Sequence, residues 1–429
     1  SWVHKAKFKF DKYLNILYAN IINKKIIMRN FYKKNNLTPI INVSGFMTKI
    51  GASITNSKSI KAANEIFTNF VNIDELQALA SKRISKYFKT EAAVITASAA
   101  GGLTESVASM MTGNDISKVF SLPNTKKMKN KVLIQKGHLT NYGAEVGQGI
   151  ELSGAKILSC GFKNSCSLQQ LEKSLSKNNK SIACAMYVVS HHCSAYKAVE
   201  ISKFIKLCNK YKVPTIVDAA SEEYMEEFFQ IGADISIFSA HKFMGSLTAG
   251  ILAGKKKYIK NIYLQNLGIG RGMKVGKEAI YAAIIAVENW YSRDIKKEIN
   301  NQNKILKFWI KFFEKEKFKG ISYEIIPDPT GNKINRLRIY VDDKISNYTI
   351  QSFSYHLEKN NPAIFVRDDL IHLNHFELDT CNLKKGQEKI VAKEIKKIIR
   401  KLSLKKIKYN ITQGEYNLKS SREWLSWLN

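Results

Sequence analysis

The chain has 429 residues, an ordinary balance of apolar and charged side chains, and a formal net charge of +32. That length can bury a large core and accommodates two or three domains; no apolar run approaches the ~20 residues a membrane-spanning helix needs, and no signal-peptide pattern is present, so a cytoplasmic protein is expected. The charge invites a nucleic-acid reading, but only nine of the basic residues are arginine and the lysines are dispersed, which fits compositional bias better than a built phosphate-binding surface.

Residues 1–27 are basic and weakly patterned. They read as an upstream extension with Met28 as the expected start, so 1–38 forms an N-terminal arm. From about residue 90, short β-like runs alternate with helical patterns. The runs are 92–97, 132–135, 156–160, 183–190, 215–218, 235–238 and 249–253, with helical spacing at 103–111, 168–175 and 199–211. Such alternation predicts an α/β domain over 39–300, a mainly parallel sheet with helices on both faces. In such sheets ligands bind beyond the carboxyl ends of the strands. Ser98, Lys136-Gly-His138, Ser190-His-His192, Asp218 and Lys242 each follow a strand end, so they are expected to converge.

A long helical stretch at 276–290 leaves the sheet. Beyond it, runs at 322–326, 336–341, 363–366 and 369–374, with helices at 350–359 and 389–402, predict a smaller α+β domain over 301–404. Ile390, Ile395, Ile398, Ile399 and Leu402 are expected on one face of the last helix. A polar tail over 405–429 ends in Trp424-Leu-Ser-Trp427 and is expected to dock on the body or on a partner. Cys160, Cys166, Cys184, Cys193, Cys208 and Cys381 form neither a C-x-x-C pair nor a zinc pattern. They read as core thiols of a reducing compartment.

The sharpest chemical signal is Ser239-Ala-His-Lys242, directly after a β-like run. About one βα unit earlier, another apolar run ends in Asp218. A pyridoxal 5'-phosphate (PLP) enzyme needs this pair. The lysine amine forms a Schiff base with the cofactor aldehyde, and the aspartate keeps the pyridine nitrogen protonated so that the ring accepts electrons. Ser239 and His241 are placed to reach the cofactor phosphate. The small residues Ser98, Ala99, Ala100 and Gly101 precede a helix, whose first backbone N–H groups bind phosphate well. Each of these features alone also has a plain structural reading: a surface lysine, a packing turn. Their combination carries the inference.

The chain resembles fold-type I PLP enzymes from about residue 39 to 402. Within them it is similar to the selenocysteine synthase and D-glucosaminate-6-phosphate ammonia-lyase group. The motifs are Ile41-Asn-Val-Ser-Gly45, Val71-Asn-Ile-Asp-Glu-Leu76, Thr96-Ala-Ser-Ala-Ala-Gly101, Gln135-Lys-Gly-His138, Val189-Ser-His-His192, Ile216-Val-Asp-Ala-Ala220, Ser239-Ala-His-Lys242, Gly268-Ile-Gly-Arg-Gly-Met-Lys-Val-Gly-Lys277 and Pro362-Ala-Ile-Phe-Val-Arg367. The ammonia-lyase side matches better, through the Arg271 loop and Val189-Ser-His-His192. No separate N-terminal tRNA-binding domain of the selenocysteine synthase kind is expected.

The resemblance implies that the His138 ring stacks on the pyridine, where a hydrogen-bonded structural histidine is the plain alternative. It implies that His191 or His192 reaches the cofactor's 3-oxygen or the substrate; the sequence does not choose between them. A metal site is not expected there, since no carboxylate stands in register. Arg271 and Arg367 are expected to bind a substrate carboxylate or phosphate, with a structural ion pair as the alternative for each. The implied activity is a PLP-dependent lyase on an amino acid or amino sugar acid, releasing ammonia and a 2-keto acid. Group transfer on a charged tRNA, aminotransfer, and a non-enzymatic PLP-binding protein stand as alternatives. The expected partners are a small anionic amino-acid-like substrate and at least a second copy of the chain; tRNA is less favoured.

Overall fold

Most of the apolar runs pair side by side in a computed structural model that describes residues 31–405. The extension at 1–27 and the tail motif at 424–427 lie outside the described residues. The strands are β1 (Ile40–Val43), β2 (Ala92–Thr96), β3 (Lys131–Gln135), β4 (Lys156–Cys160), β5 (Ile182–Val188), β6 (Thr215–Asp218), β7 (Ile235–Ser239), β8 (Gly250–Gly254), β9 (Ile321–Pro327), β10 (Asn335–Val341), β11 (Ala363–Val366) and β12 (His375–Leu378). Two units emerge. The larger comprises Gly45–Gln302 with Pro327–Asn335; the smaller takes the described residues up to Ser44, Asn303–Ile326 and the described residues from Arg336 on.

In the larger unit seven strands form one sheet in the order β2-β8-β7-β6-β5-β3-β4. β8 runs antiparallel to both its neighbours, β2 and β7; β7, β6, β5, β3 and β4 are mutually parallel. Six strands therefore end at the same edge of the sheet. Alternate residues of each strand feed two apolar layers: Ala93, Ile95, Val217 and Phe238 on one face, and Val94, Ile134, Ile216 and Ile237 on the other. Strands buried on both faces must be apolar throughout, which is why they read as unbroken runs rather than alternating ones. Helices Ile73–Phe88, Ile201–Lys210 and Lys277–Tyr291 cover the first face; Ala99–Thr112 and Lys256–Leu264 cover the second.

The helix expected at 103–111 begins earlier, at Ala99. Ser98 is its cap, so the expected small-residue turn is the first turn of the helix itself. The glycine-rich loop around Arg271 is a short 3-10 helix, Ile269–Met273.

The smaller unit holds a three-stranded sheet, β12-β10-β9, and the parallel pair β1-β11. Trp309, Phe353, Phe376 and Ile395 sit in its core. Two differences from the sequence reading stand out. Strand β1, expected in the large domain, hydrogen-bonds along β11 in the small unit, from Ile40 opposite Ala363 to Val43 opposite Val366. Pro327–Asn335, expected in the small domain, belongs to the large unit. The final helix, Gln387–Lys405, buries Val391, Ile395, Ile398, Ile399 and Leu402, whereas Ile390 is 41% exposed. At about 100° per residue, Ile390 is rotated about 140° from Ile395, while Val391 is about 40° away.

Candidate active site

Five expected site segments lie just past the carboxyl ends of parallel strands in the large unit: Ser98 after β2, His138 after β3, His191 and His192 after β5, Asp218 at the end of β6, and Lys242 after β7. Asp218 is central. It is paired in register with Val188 of β5 and Ile237 of β7.

Lys242 sits in a tight turn. Its N–H donates to the Ser239 carbonyl at 3.3 Å, and its own carbonyl accepts from Gly245 N–H at 3.2 Å. A distant segment clamps the turn: Asn56 Nδ2 donates to the carbonyls of Met244 and Gly245, both at 2.9 Å, and Ser53 Oγ donates to the His241 carbonyl at 2.5 Å. The Lys242 Nζ donates to Ser221 Oγ at 2.5 Å. Ser239 Oγ and His241 Nδ1 share a hydrogen bond at 3.0 Å, and burial followed by the charge of Lys242 holds the His241 imidazole below its usual range.

Asp218 is 8% exposed and accepts from Ala220 N–H at 3.3 Å. Burial pushes its carboxyl up to about 6, opposed by the charge of Lys242 and by that N–H. A buried carboxylate so placed favours a cation beside it.

His138 is 1% exposed, and its Nδ1 accepts from Val188 N–H at 3.3 Å. Its ring meets Tyr187 edge-on at 4.4 Å between centroids and Tyr196 at 5.9 Å. Burial lowers its imidazole to about 4, so it is a neutral aromatic ring at pH 7. Its hydrogen bond fits the plain structural alternative, and its position past β3 fits the expected stacking ring. Gly137 is required beside it, since a Cβ there would fall 2.1 Å from the Tyr196 ring.

At the phosphate-binding candidate, Ser98 Oγ accepts from Gly101 N–H at 2.9 Å, and the Ser98 carbonyl accepts from Gly102 N–H at 2.9 Å. Gly101 N–H is thus spent on the cap, unlike the expectation, and the N–H groups of Ala99 and Ala100 form the open end of the helix. Gly250 of β8 lies opposite both Thr96 and Ser239. A Cβ on it would fall 2.4 Å from the Ser98 carbonyl oxygen, a backbone atom that cannot swing away. Gly250→Ala is expected to lower stability by about 1–3 kcal/mol, read from the midpoint of urea unfolding. An unchanged midpoint would show that the turn yields.

His191 and His192 lie in a short 3-10 turn with their ring centroids 3.8 Å apart, and Ser190 Oγ accepts from His192 N–H at 3.3 Å. Arg271 is exposed; its turn lies near the helix start, with Met273 Sδ 3.6 Å from where a Gly101 Cβ would stand. Arg367 belongs to the smaller unit, where its Nε lies 3.4 Å from Asp369 and 3.7 Å from Glu377. An ion-paired structural role thus describes its contacts there.

Sequence reading missed Ser221, Glu222, Ser53, Asn56 and Tyr142. Ser221 and Glu222 closely follow Asp218, and that run of polar residues after a buried strand was the available signal. The Tyr142 phenol is pushed up to about 12, by burial and then by the charge of Asp218. Nothing local marked Asn56, whose partners lie 188 and 189 residues away.

The chain is similar to the D-glucosaminate-6-phosphate ammonia lyase of Salmonella typhimurium, 29% identical over 86% of this chain and 98% of that protein. It is also similar to an L-seryl-tRNA(Sec) selenium transferase of Clostridium botulinum, 25% identical over 89% of this chain and 87% of that protein. Among solved structures, a D-glucosaminate-6-phosphate ammonia-lyase superimposes with a TM-score of 0.77 at 29% identity, covering 87% of this chain and 99% of that one. A Sphingomonas wittichii serine palmitoyltransferase, at a TM-score of 0.56 and 10% identity over 86% of this chain and 88% of that one, shares the fold alone, that of fold-type I PLP enzymes. The profile described as "SelA: L-seryl-tRNA selenium transferase" matches residues 40–307. By that match, which spans the whole seven-stranded sheet, the chain belongs to the L-seryl-tRNA selenium transferase (SelA) family.

Proposed function

We propose that the protein is a PLP-dependent lyase of the ammonia-lyase type, acting on a small anionic amino acid or amino sugar acid. The observation that carries this reading is the placement of Lys242 and Asp218 past neighbouring strand ends, in a chain similar to an ammonia lyase over nearly its whole length. The residues present fit PLP. Asp218 is a buried carboxylate suited to a protonated ring nitrogen, His138 is a neutral ring, and the open helix N-terminus at Ala99 and Ala100, with Ser239 and His241, suits a phosphate.

When bound, PLP supplies an electron sink for negative charge at the substrate α-carbon. Lys242 Nζ is the candidate base that takes the α-proton. Asp218 holds the positive charge of the ring nitrogen in place. His191 or His192 and Arg271 are candidates for binding the substrate's anionic groups. Loss of a β-hydroxyl as water, then uptake of one water, releases one ammonia and one 2-keto acid, which balances the atoms. Among the described residues no helix is long and apolar enough to cross a membrane. We place the protein in the cytoplasm as a homodimer or larger assembly; a monomeric mass by light scattering with full activity would count against that assembly.

The test is turnover. The purified, PLP-supplied protein is offered amino sugar acids, their phosphates and β-hydroxy amino acids, with ammonia and 2-keto acid both assayed. Equal yields of the two without tRNA are expected. The charge of +32 and the selenium transferase relatives favour one second reading, group transfer on a charged tRNA. Turnover that requires an aminoacylated tRNA, with binding that survives salt, would replace the lyase reading.

A further inference from the structure

Two of the six cysteines stand in contact. Cys160 closes strand β4, and Cys166 follows the short loop 161–165; their sulfurs lie 3.8 Å apart and share a hydrogen bond. They are 4% and 6% exposed, beside the edge strand of the sheet. Cys160 is paired in register with Gln135 of β3, three residues before His138, so the pair sits at the same edge of the sheet as the candidate site.

The residues between the two cysteines bring them together. Gly161 adopts a φ of +82°, a left-handed conformation that turns the chain back at once. A Cβ on it would fall 2.7 Å from Cys166 Cβ, so the close approach requires glycine. The loop is pinned by Phe162 N–H donating to the Ser165 carbonyl at 2.7 Å, Cys166 N–H to the Lys197 carbonyl at 2.9 Å, and Tyr196 OH to the Phe162 carbonyl at 3.3 Å. That Tyr196 ring also borders His138. Phe162, Lys163 and Asn164 are exposed, so solvent bathes the loop that carries Cys166. The hydrogen bond from Cys160 holds the Cys166 thiol below its usual range and raises that of Cys160. Cys166 is therefore the thiol that ionises first, and the thiolate is the nucleophile.

We propose that Cys160 and Cys166 form a dithiol site that a small peroxide converts reversibly to a disulfide. The Cys166 sulfur attacks one peroxide oxygen: an S–O bond forms, the O–O bond breaks, and the leaving oxygen departs as water. The Cys160 sulfur then attacks the Cys166 sulfur: the S–S bond forms, the S–O bond breaks, and a second water leaves. With hydrogen peroxide, two thiols and one peroxide give one disulfide and two waters; the sulfurs lose two electrons and the peroxide gains them. The sulfurs close from 3.8 Å to about 2.05 Å. The second step is intramolecular across a short loop, so its closure costs little entropy. In a reducing compartment such a bond is transient and sensing rather than structural.

The test is a peptide map. Lys163 lies between the two cysteines, so trypsin severs the loop and a disulfide shows as two joined peptides. The folded full chain is reduced, treated with hydrogen peroxide, unfolded, alkylated with iodoacetamide and digested. The Cys160 and Cys166 peptides should be joined, with two of the six thiols lost to alkylation and both recovered after dithiothreitol. Cys160→Ser should give no joined peptide, and its Cys166 should be trapped as the sulfenic acid by dimedone, since the resolving thiol is gone. A wild type that keeps all six thiols, that joins either cysteine to a different one, or that carries a sulfinic acid on Cys166 without the joined peptide would overturn the proposal. If Cys160→Ser does not fold by circular dichroism, the wild-type map decides. The site stands whether or not the chain binds PLP.

Discussion

Lys242→Ala should abolish covalent PLP attachment and reduce kcat/KM by at least about 10³-fold, since covalent attachment and general-base function are lost together. In the wild type, borohydride should fix PLP to the Lys242 peptide, identified by mass spectrometry. The variant should bind PLP only reversibly, through the candidate phosphate and ring contacts that do not involve the amine. Its fold should persist. The Lys242 turn is held by backbone bonds from Lys242, Gly245 and Ala240, and by Asn56 against the Met244 and Gly245 carbonyls. None of these uses the lysine side chain. Label on another lysine would move the site elsewhere in the chain.

Asp218→Asn should separate stability from activity. It keeps the shape and an acceptor for Ala220 N–H, but removes the charge. Burial raises the carboxyl from 3.8 to about 6 in the folded chain. Its contribution to stability is therefore fully present below about pH 4 and is lost as pH rises through about 6. At pH 8 the cofactor-free wild type carries the cost of a buried anion, on the order of 3 kcal/mol, which the amide avoids. Cofactor-free Asp218→Asn should thus melt higher than wild type at pH 8 and no higher at pH 4. With PLP the order should reverse, because the amide cannot hold the ring nitrogen's positive charge. Activity should fall by about 10²–10³-fold, the scale of a lost electrostatic contact. Thermal unfolding at both pH values, with and without PLP, checks the signs. A wild type that melts higher at pH 8 without cofactor would contradict the burial argument.

The central sheet was legible because its strands, apart from the edge strand β4, are buried on both faces, and burial imprints an unbroken apolar run on the chain. Strand ends carrying polar or small residues stood out against those runs, so Ser98, His138, Asp218 and Lys242 could be placed at one edge of the sheet. The helix Ala99–Thr112 was recognised, but its first turn was read as a loop, because Ala-Ala-Gly-Gly carries no apolar periodicity. The exchange of segments between units was not legible. Residues 40–43 are apolar enough for either unit, and their assignment rests on pairing with residues 363–366, more than 300 positions away.

Residue type and local spacing sufficed to indicate the α/β class, the lysine–aspartate pair and the chemistry they suit. Both are short-range properties, set by side-chain polarity against a strand or helix period. The surroundings of that pair depend instead on contacts between remote segments. Asn56 clamps the lysine turn from 188 residues away, and Asn332 reaches the Ser221 carbonyl across 111. The Glu222 carboxyl is pushed up to about 8, chiefly by burial, and Gly101 loses its free N–H to the Ser98 cap. Desolvation and hydrogen-bond partnership arise only when the chain has closed on itself, because they depend on which groups exclude water from one another, and no local pattern encodes that.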